Sequence, residues 1–279
     1  MISIIITCYN SASTIKRAID SCLNQTYNNI ELVVIDDCSS DNSVEIIESY
    51  KDNRIRLIKH EVNKGAGLAR RTGTKNIKGE YTIFLDSDDY LATNTLEVLI
   101  EAAIKYNADI IAPGYISVFG EEEFARVPEL EIQEGLTKFA PNKADTKRFL
   151  NPMLVKASLW DKVEYSDRRY IEDTPTLFKL IYYANKLVLL DYAGYYYTQN
   201  EGSLIHSASE FKNHLYRALV AKDLVEFCKD KNDIPDQSNT FIIRLSELFN
   251  YGGTQQDYDN FKTESAELLH YISKNITFD

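Results

Sequence analysis

The feature that most constrains this chain is a rhythm in its first 112 residues, where short unbroken apolar runs alternate with windows of helical spacing. The runs cover 3–7, 31–36 (ELVVID), 54–59, 81–85 and 109–112, and the helical windows cover 13–25, 41–50, 67–77 and 93–106. In the first window Ile15, Ala18, Ile19, Cys22 and Leu23 recur at three- and four-residue intervals and so share one face. A strand that is apolar throughout is covered on both faces, and strands joined by crossover helices run parallel. The expectation is an α/β fold, a mostly parallel, Rossmann-like sheet flanked by helices. Ligands of such sheets bind outside the carboxyl ends of the strands, so function is sought in the residues at those ends.

Proline divides the chain. None occurs before residue 113, and all six (113, 128, 141, 152, 175 and 235) lie beyond it or at it. Three stretches are expected: 1–115 with the alternating pattern, an irregular 116–205 rich in Gly, Pro and Tyr, and a helical 206–279. The last carries apolar sets at Leu215, Leu219 and Val220, at Phe241, Ile242, Leu245, Leu248 and Phe249, and at Phe261, Leu268, Leu269 and Ile272. With 44% hydrophobic and 26% charged residues, the chain is neither disordered, collagen-like nor a coiled coil. Its formal charge of -11 argues against nucleic acid or an anionic membrane as main partner, but leaves open an acidic pocket for a divalent cation. The N-terminus lacks a basic region before its apolar run, and no stretch approaches the ~20 apolar residues of a membrane span. The four cysteines (8, 22, 38 and 228) include no Cys-x-x-Cys pair, so a cytoplasmic protein with reduced thiols and no zinc site is expected.

The strand ends are chemically loaded. After the first strand comes Thr7-Cys8-Tyr9-Asn10, after the second Asp36-Asp37-Cys38-Ser39-Ser40-Asp41, after the third Asn63-Lys64-Gly65-Ala66-Gly67 leading to Arg70 and Arg71, and after the fourth Asp86-Ser87-Asp88-Asp89. Oxygen-only ligands favour Mg²⁺ or Mn²⁺ over zinc. Asp86 and Asp88 can converge on one ion, or one can face a sugar while the other holds the metal. The competing reading is capping of the next helix, for which one Asp would suffice. Asp37 can accept from the imide N–H of a uracil or from a ribose hydroxyl, Tyr9 offers a face for a base, and Arg70 or Arg71 can meet a diphosphate. Read blandly, these are caps, a rim tyrosine and solvated arginines.

Together the residues resemble a family. The opening SIIITCYN followed by SCLNQTY, then ELVVIDDCSSDNS, then NKGAGLARRTG…KGEYTIFLDSDD, in that order and spacing, look like the inverting family-2 glycosyltransferases of GT-A fold. The resemblance covers the first ~115 residues, runs more loosely through 116–205 and scarcely reaches 206–279. It implies that 1–115 binds a nucleotide-sugar donor, that 116–205 supplies the acceptor side and the catalytic base within the same domain, and that 206–279 is a helical C-terminal region. It places Thr7, Tyr9, Asn10, Asp37, Gly65, Arg70, Arg71, Asp86 and Ser87 around the donor, and makes Asp86 and Asp88 the Asp-x-Asp element, with Asp88 the direct ligand of Mn²⁺ or Mg²⁺. Glu172-Asp173 in RRYIEDTPTLFKL matches the family's Glu-Asp pair, with Asp173 the base. The competing role for Asp173 is to cap a helix over 177–184. Trp160 either stacks on an acceptor or anchors the smaller subdomain. Tyr195-Tyr196-Tyr197 with Gly202-Ser203 resembles the family's later strand and loop, and His206 is a weaker metal candidate. Two departures stand out, Thr7 where the family often has Pro and Arg71 where it often has Asn.

The resemblance implies transfer of a sugar, UDP-linked, to a glycan or lipid-linked glycan in bacterial surface polysaccharide assembly, at the inner face of the cytoplasmic membrane and with peripheral membrane association allowed. A nucleotidyltransferase would need a Gly- and Arg-rich loop after the first strand, and a dinucleotide-dependent dehydrogenase Gly-x-Gly-x-x-Gly there; the chain has TCYNSAS. A catalytically silent nucleotide-sugar-binding partner of another transferase stays open.

Overall fold

The computed structural model describes residues 1–135, 150–167 and 172–199 and isolated positions beyond 218. The chain divides into two compact units, Met1–Asn200 and Glu201–Asp279. In the second unit the described residues at 219–220, 222–224 and 226–227 are helical; Val220 and Leu224 are buried there, and Lys222 pairs with Glu226 one turn on at 3.3 Å. The rest of the helical expectation for 206–279, together with Gly202, Ser203 and His206, lies outside the described residues.

The first unit is built as its apolar runs dictate. The strands β1 (Ile2–Cys8), β2 (Ile30–Asp36), β3 (Ile55–Lys59) and β4 (Tyr81–Asp86) pair in parallel in the order β3-β2-β1-β4. Between them run the helices α1 (Ile15–Leu23), α2 (Ser43–Ser49) and α3 (Ala66–Thr74). A two-residue strand, β5 (Tyr90–Leu91), then precedes α4 (Thr95–Tyr106). Side chains alternate across a strand, so β1 serves two cores. Ile4 and Ile6 pack with Ile15, Ile19, Leu96 and Leu99 beneath α1 and α4, while Ile5 joins Phe84 and the apolar face of a later helix. On that second face α3 comes so close that a Cβ on Gly73 would lie 2.4 Å from Ile5 Cγ2. Glycine is there for lack of room.

The stretch read as irregular holds more order than its prolines suggested. The fifth strand, expected over 109–112, is β6 (Ile110–Phe119) and runs straight through Pro113. Proline is tolerated because among the described residues the flanking edge is unpaired at that point: β9 (Leu154–Lys156) pairs Ile110 and Ile111, and β7 (Glu122–Arg126) pairs Tyr115 to Phe119. On its other side β6 runs parallel to β10 (Lys186–Thr198), whose register shifts between Leu190 and Ala193. The short β8 (Glu131–Glu134) and β5 pair antiparallel with β10. The whole is one mixed sheet with a parallel centre, β9 being inserted antiparallel between β4 and β6. Helix α5 (Asp173–Tyr183) closes the second core with Leu177, Leu180 and Ile181, beginning four residues before the expected position 177.

Candidate active site

The loaded strand ends lie on one edge of the sheet, because β1, β2 and β4 run in register from Ile2, Ile30 and Tyr81. The turns after β1 and β2 are stitched together. Asn10, at a left-handed φ of 50°, takes the Ser40 amide on its Oδ1 at 2.8 Å, and its own amide donates to Ser39 Oγ at 2.9 Å. Ser11 Oγ lies 2.7 Å from Ser87 Oγ, which ties the β1 turn to the β4 turn. Tyr9 is half exposed at this edge.

Asp37 is buried and organises the loop after β3. Its Oδ1 takes Lys64 N–H at 2.9 Å and lies 2.7 Å from His60 Nδ1, while Oδ2 takes Gly65 N–H at 2.7 Å. The other imidazole nitrogen lies 2.9 Å from Thr72 Oγ1 on α3. Gly65 has φ 90°, a region that side chains rarely adopt, and it opens α3. His60 escapes sequence reading, since a lone histidine just past an apolar run carries no signal of its own.

The acidic turn after β4 divides its labour. Asp86 is taken up on both oxygens: Oδ1 accepts from Arg70 Nη2 at 2.7 Å and Thr7 Oγ1 at 3.3 Å, and Oδ2 from Asn151 Nδ2 at 2.6 Å. Asp89 turns inward, fully buried, and accepts from Tyr195 Oη at 2.6 Å and from the Thr198 amide at 2.8 Å. Burial pushes its carboxyl well above the usual range, and the charges of Asp86 and Asp88 push the same way. Asp88 is half-buried, and its carbonyl accepts from Arg17 Nη2 at 2.5 Å. Among the described residues no three His, Cys, Asp or Glu side chains form a metal cluster. An all-oxygen donor set of this kind still fits Mg²⁺ or Mn²⁺, because such ions are usually held by one or two carboxylates together with substrate phosphates.

The two arginines part company. Arg70 is buried and bridges Asp86 to Glu172, with its guanidinium 5.7 Å from the Tyr165 ring centre. Burial alone would lower it, but the charges of Asp86, Tyr165 and Glu172 hold it well above its ordinary value. Arg71 points elsewhere: Nε donates to the Tyr165 carbonyl at 2.7 Å, and the guanidinium approaches Glu164 and Asp167 at 3.4 and 3.8 Å. Trp160 is likewise engaged, giving its Nε1–H to Thr82 Oγ1 at 2.9 Å and packing edge-on to Phe84.

Glu172 and Asp173 begin α5, Asp173 being its first helical residue, with Pro175 in the first turn. Burial raises the carboxyls of both, and Arg70 opposes the rise in each. The edge therefore brings together Thr7, Asp86, Ser87, Arg70 and Glu172 directly, and Tyr9, Asn10, Asp37 and Gly65 on the adjoining turns. It leaves Arg71 and Trp160 in the packing behind. Arg17 and Asn151, which touch the acidic turn, had no motif to reveal them.

Comparison with known proteins bears on the fold and the family. The crystal structure of S. aureus TarS 1–349 in complex with UDP-GlcNAc superposes with a TM-score of 0.67 at 23% identity, over 99% of this chain and 76% of that one, which shows a GT-A-like fold. Glycosyltransferase GlyG of Streptococcus pneumoniae is 30% identical over 247 residues, 83% of this chain and 79% of GlyG. The Escherichia coli UDP-Glc:alpha-D-GlcNAc-diphosphoundecaprenol beta-1,3-glucosyltransferase WfaP is 47% identical over 96 residues, 34% of this chain and 38% of that protein. The profile of glycosyl transferase family 2 matches residues 3–158, from β1 through the strand ends to the 3-10 turn that carries Trp160. A sheet with a parallel centre, whose loaded strand ends from Thr7 to Asp89 lie inside that match, leaves one assignment: the chain belongs to glycosyl transferase family 2.

Proposed function

We propose that this glycosyltransferase moves a sugar from a UDP-sugar to a hydroxyl of a glycan or lipid-linked glycan, with inversion and with help from a divalent cation, in bacterial surface polysaccharide assembly. One observation carries the reading: the carboxylate at the end of β4 and Glu172, the chain neighbour of Asp173 at the start of α5, meet on a single guanidinium, that of Arg70. A donor-side acid and the residue beside the candidate base are thus tied together at the carboxyl edge of the sheet. The UDP-GlcNAc bound by TarS and the UDP-glucose and lipid-linked acceptor named for WfaP support the choice of donor and acceptor class.

Tyr9 stacks on the base, and Asp37 with the Lys64–Gly65 turn frames the nucleoside. Asp88 would hold Mn²⁺ or Mg²⁺, with Asp86 beside it, and such an ion when bound would supply positive charge near the diphosphate. Asp173 accepts the proton of the acceptor hydroxyl as its oxygen bonds to the anomeric carbon and the bond to the diphosphate breaks on the opposite face. A raised carboxyl suits a base, since proton affinity nearer the working pH strengthens its pull.

The test is a panel of nucleotide-sugars assayed for metal-dependent hydrolysis, with UDP-induced melting shifts read alongside. The expected result is a UDP shift that needs Mn²⁺ or Mg²⁺ and vanishes in Asp88→Ala, while Asp173→Asn keeps the shift and loses transfer. Equal shifts with and without metal would overturn the metal role, and an active Asp173→Asn would overturn the base.

A further inference from the structure

Arg70 reads from sequence as a diphosphate ligand, but its surroundings describe a different task. Its side chain is 7% exposed, and its two terminal nitrogens are each committed to a carboxylate, Nη2 to Asp86 at 2.7 Å and Nη1 to Glu172. Among the described residues the third nitrogen, Nε, is buried without a partner, and so is the fully buried Tyr165 hydroxyl. At 7% exposure the guanidinium meets a solvent-side phosphate only by moving out from between these acids, which would leave a partly buried carboxylate unpaired. The planar fork instead matches two acids arriving from different elements, a geometry that the point charge of lysine cannot copy. Those acids belong to the two halves of the site: Asp86 ends β4 and also holds Thr7 and Asn151, and Glu172 is joined to Asp173 at the N-terminus of α5.

We propose that Arg70 is a positioning residue, a strut that fixes the start of α5, and with it Asp173, against the donor-side carboxylate Asp86, and that it does not bind the diphosphate. The inference rests on the reading of Asp173 as base. Reaction rates fall steeply when a reacting group is displaced by about an ångström, so a loosened strut acts on turnover and not on nucleotide affinity. Glu172 is then the strut's far anchor, which gives this acid a function of its own.

The experiment compares Arg70→Lys, Glu172→Gln and the double variant with the unaltered protein. It measures UDP affinity with Mn²⁺, and kcat and KM for transfer, with Asp173→Asn as control. Arg70→Lys keeps the buried positive charge, and Glu172→Gln keeps the size of the side chain and a hydrogen-bonding oxygen, so at least one folded variant is secured. The expected result is unchanged UDP affinity and donor KM, a kcat lowered by on the order of 100-fold, and a double variant no slower than the slower single one, because both changes break the same bridge. Loss of UDP affinity in Arg70→Lys would return the arginine to the diphosphate, and multiplying effects in the double variant would show that the two residues act separately. Either result overturns the strut, as does wild-type turnover in the single variants. If Asp173→Asn still transfers sugar, the assignment of the base falls; if it is inactive while the Arg70 and Glu172 variants turn over normally, the strut alone falls.

Discussion

The hydroxyl of Tyr195 donates to Asp89 Oδ2 at 2.6 Å, joining the turn after β4 to the C-terminal part of β10 across 106 residues of sequence. Both side chains are buried, and the Thr198 amide donates to the other Asp89 oxygen at 2.8 Å. The same hydroxyl lies 3.3 Å from the Asp86 amide, so one phenol steadies both ends of the acidic turn. Tyr195→Phe removes the donor without changing the shape of the core. A buried acceptor left short of a partner costs about 1–3 kcal/mol, and thermal melting checks the expected drop. Because Asp88 lies inside that turn, metal-supported UDP affinity falls as well. Melting and affinity both equal to wild type would show that the bond contributes nothing net.

Arg17 reaches the same turn from α1. Its Nη2 donates to the Asp88 carbonyl at 2.5 Å and to Thr198 Oγ1 at 3.0 Å, and its guanidinium lies 4.6 Å from the centre of the Tyr90 ring, which stacks on Tyr196. The side chain is exposed, so solvent competes for each contact, and Arg17→Ala is expected to cost about 1 kcal/mol or less of stability. Its effect on UDP affinity in the presence of Mn²⁺ is expected to be larger than its effect on the melting temperature, because the contact falls on the backbone of Asp88, the residue proposed to hold the metal. A loss of affinity equal with and without metal would place Arg17 outside the metal's influence.

Much of this was legible in the sequence for a physical reason. Unbroken apolar runs such as ELVVID can only be doubly covered strands, and once those are parallel their carboxyl ends gather Thr7, Asp37 and Asp86 on one edge without further information. What the sequence hid was direction. Nothing in ARRTG tells which arginine turns into the site and which turns back to Tyr165, since neighbours on a helix differ by about 100° in heading. Likewise, nothing in DSDD shows that Asp89 goes inward, because its partners come from β10. Pro113 misled outright, as its tolerance depends on which stretches of the neighbouring edge are left unpaired.

Packing beneath α3 makes a separate prediction. A methyl group on Gly73 would meet Ile5 Cγ2 at 2.4 Å, well inside contact distance, and Ile5 is fully buried in the centre of the sheet. Gly73→Ala must lift α3 or displace Ile5, at about 1–3 kcal/mol. The melting temperature falls accordingly, and Ile5→Ala in the Gly73→Ala background costs less than in the wild type, since the methyl then occupies space the isoleucine vacated. Additive losses would mean that the helix moves away and the clash is not local.

The last prediction concerns Asp173 and sets stability against activity. Burial raises its folded carboxyl above the ordinary aspartate value of about 3.9, and Arg70 holds the rise in check. A carboxyl raised on folding binds its proton more tightly in the native chain than in the unfolded one. Its stabilising contribution is therefore complete below the unfolded value and is lost as pH climbs through the raised one. At neutral pH the ionised Asp173 is a cost to the fold, and Asp173→Asn removes it. The variant is expected to melt higher than the wild type at pH 7, with the advantage shrinking as pH falls toward the ordinary carboxylate range, while sugar transfer is lost at every pH. In the wild type, turnover is expected to rise with pH through a value above that range if Asp173 is the proposed base, which works only when ionised. Melting curves at several pH values decide the point: an advantage that stays constant from pH 4 to pH 7 would mean that the asparagine stabilises by packing or capping, not by discharging a buried acid.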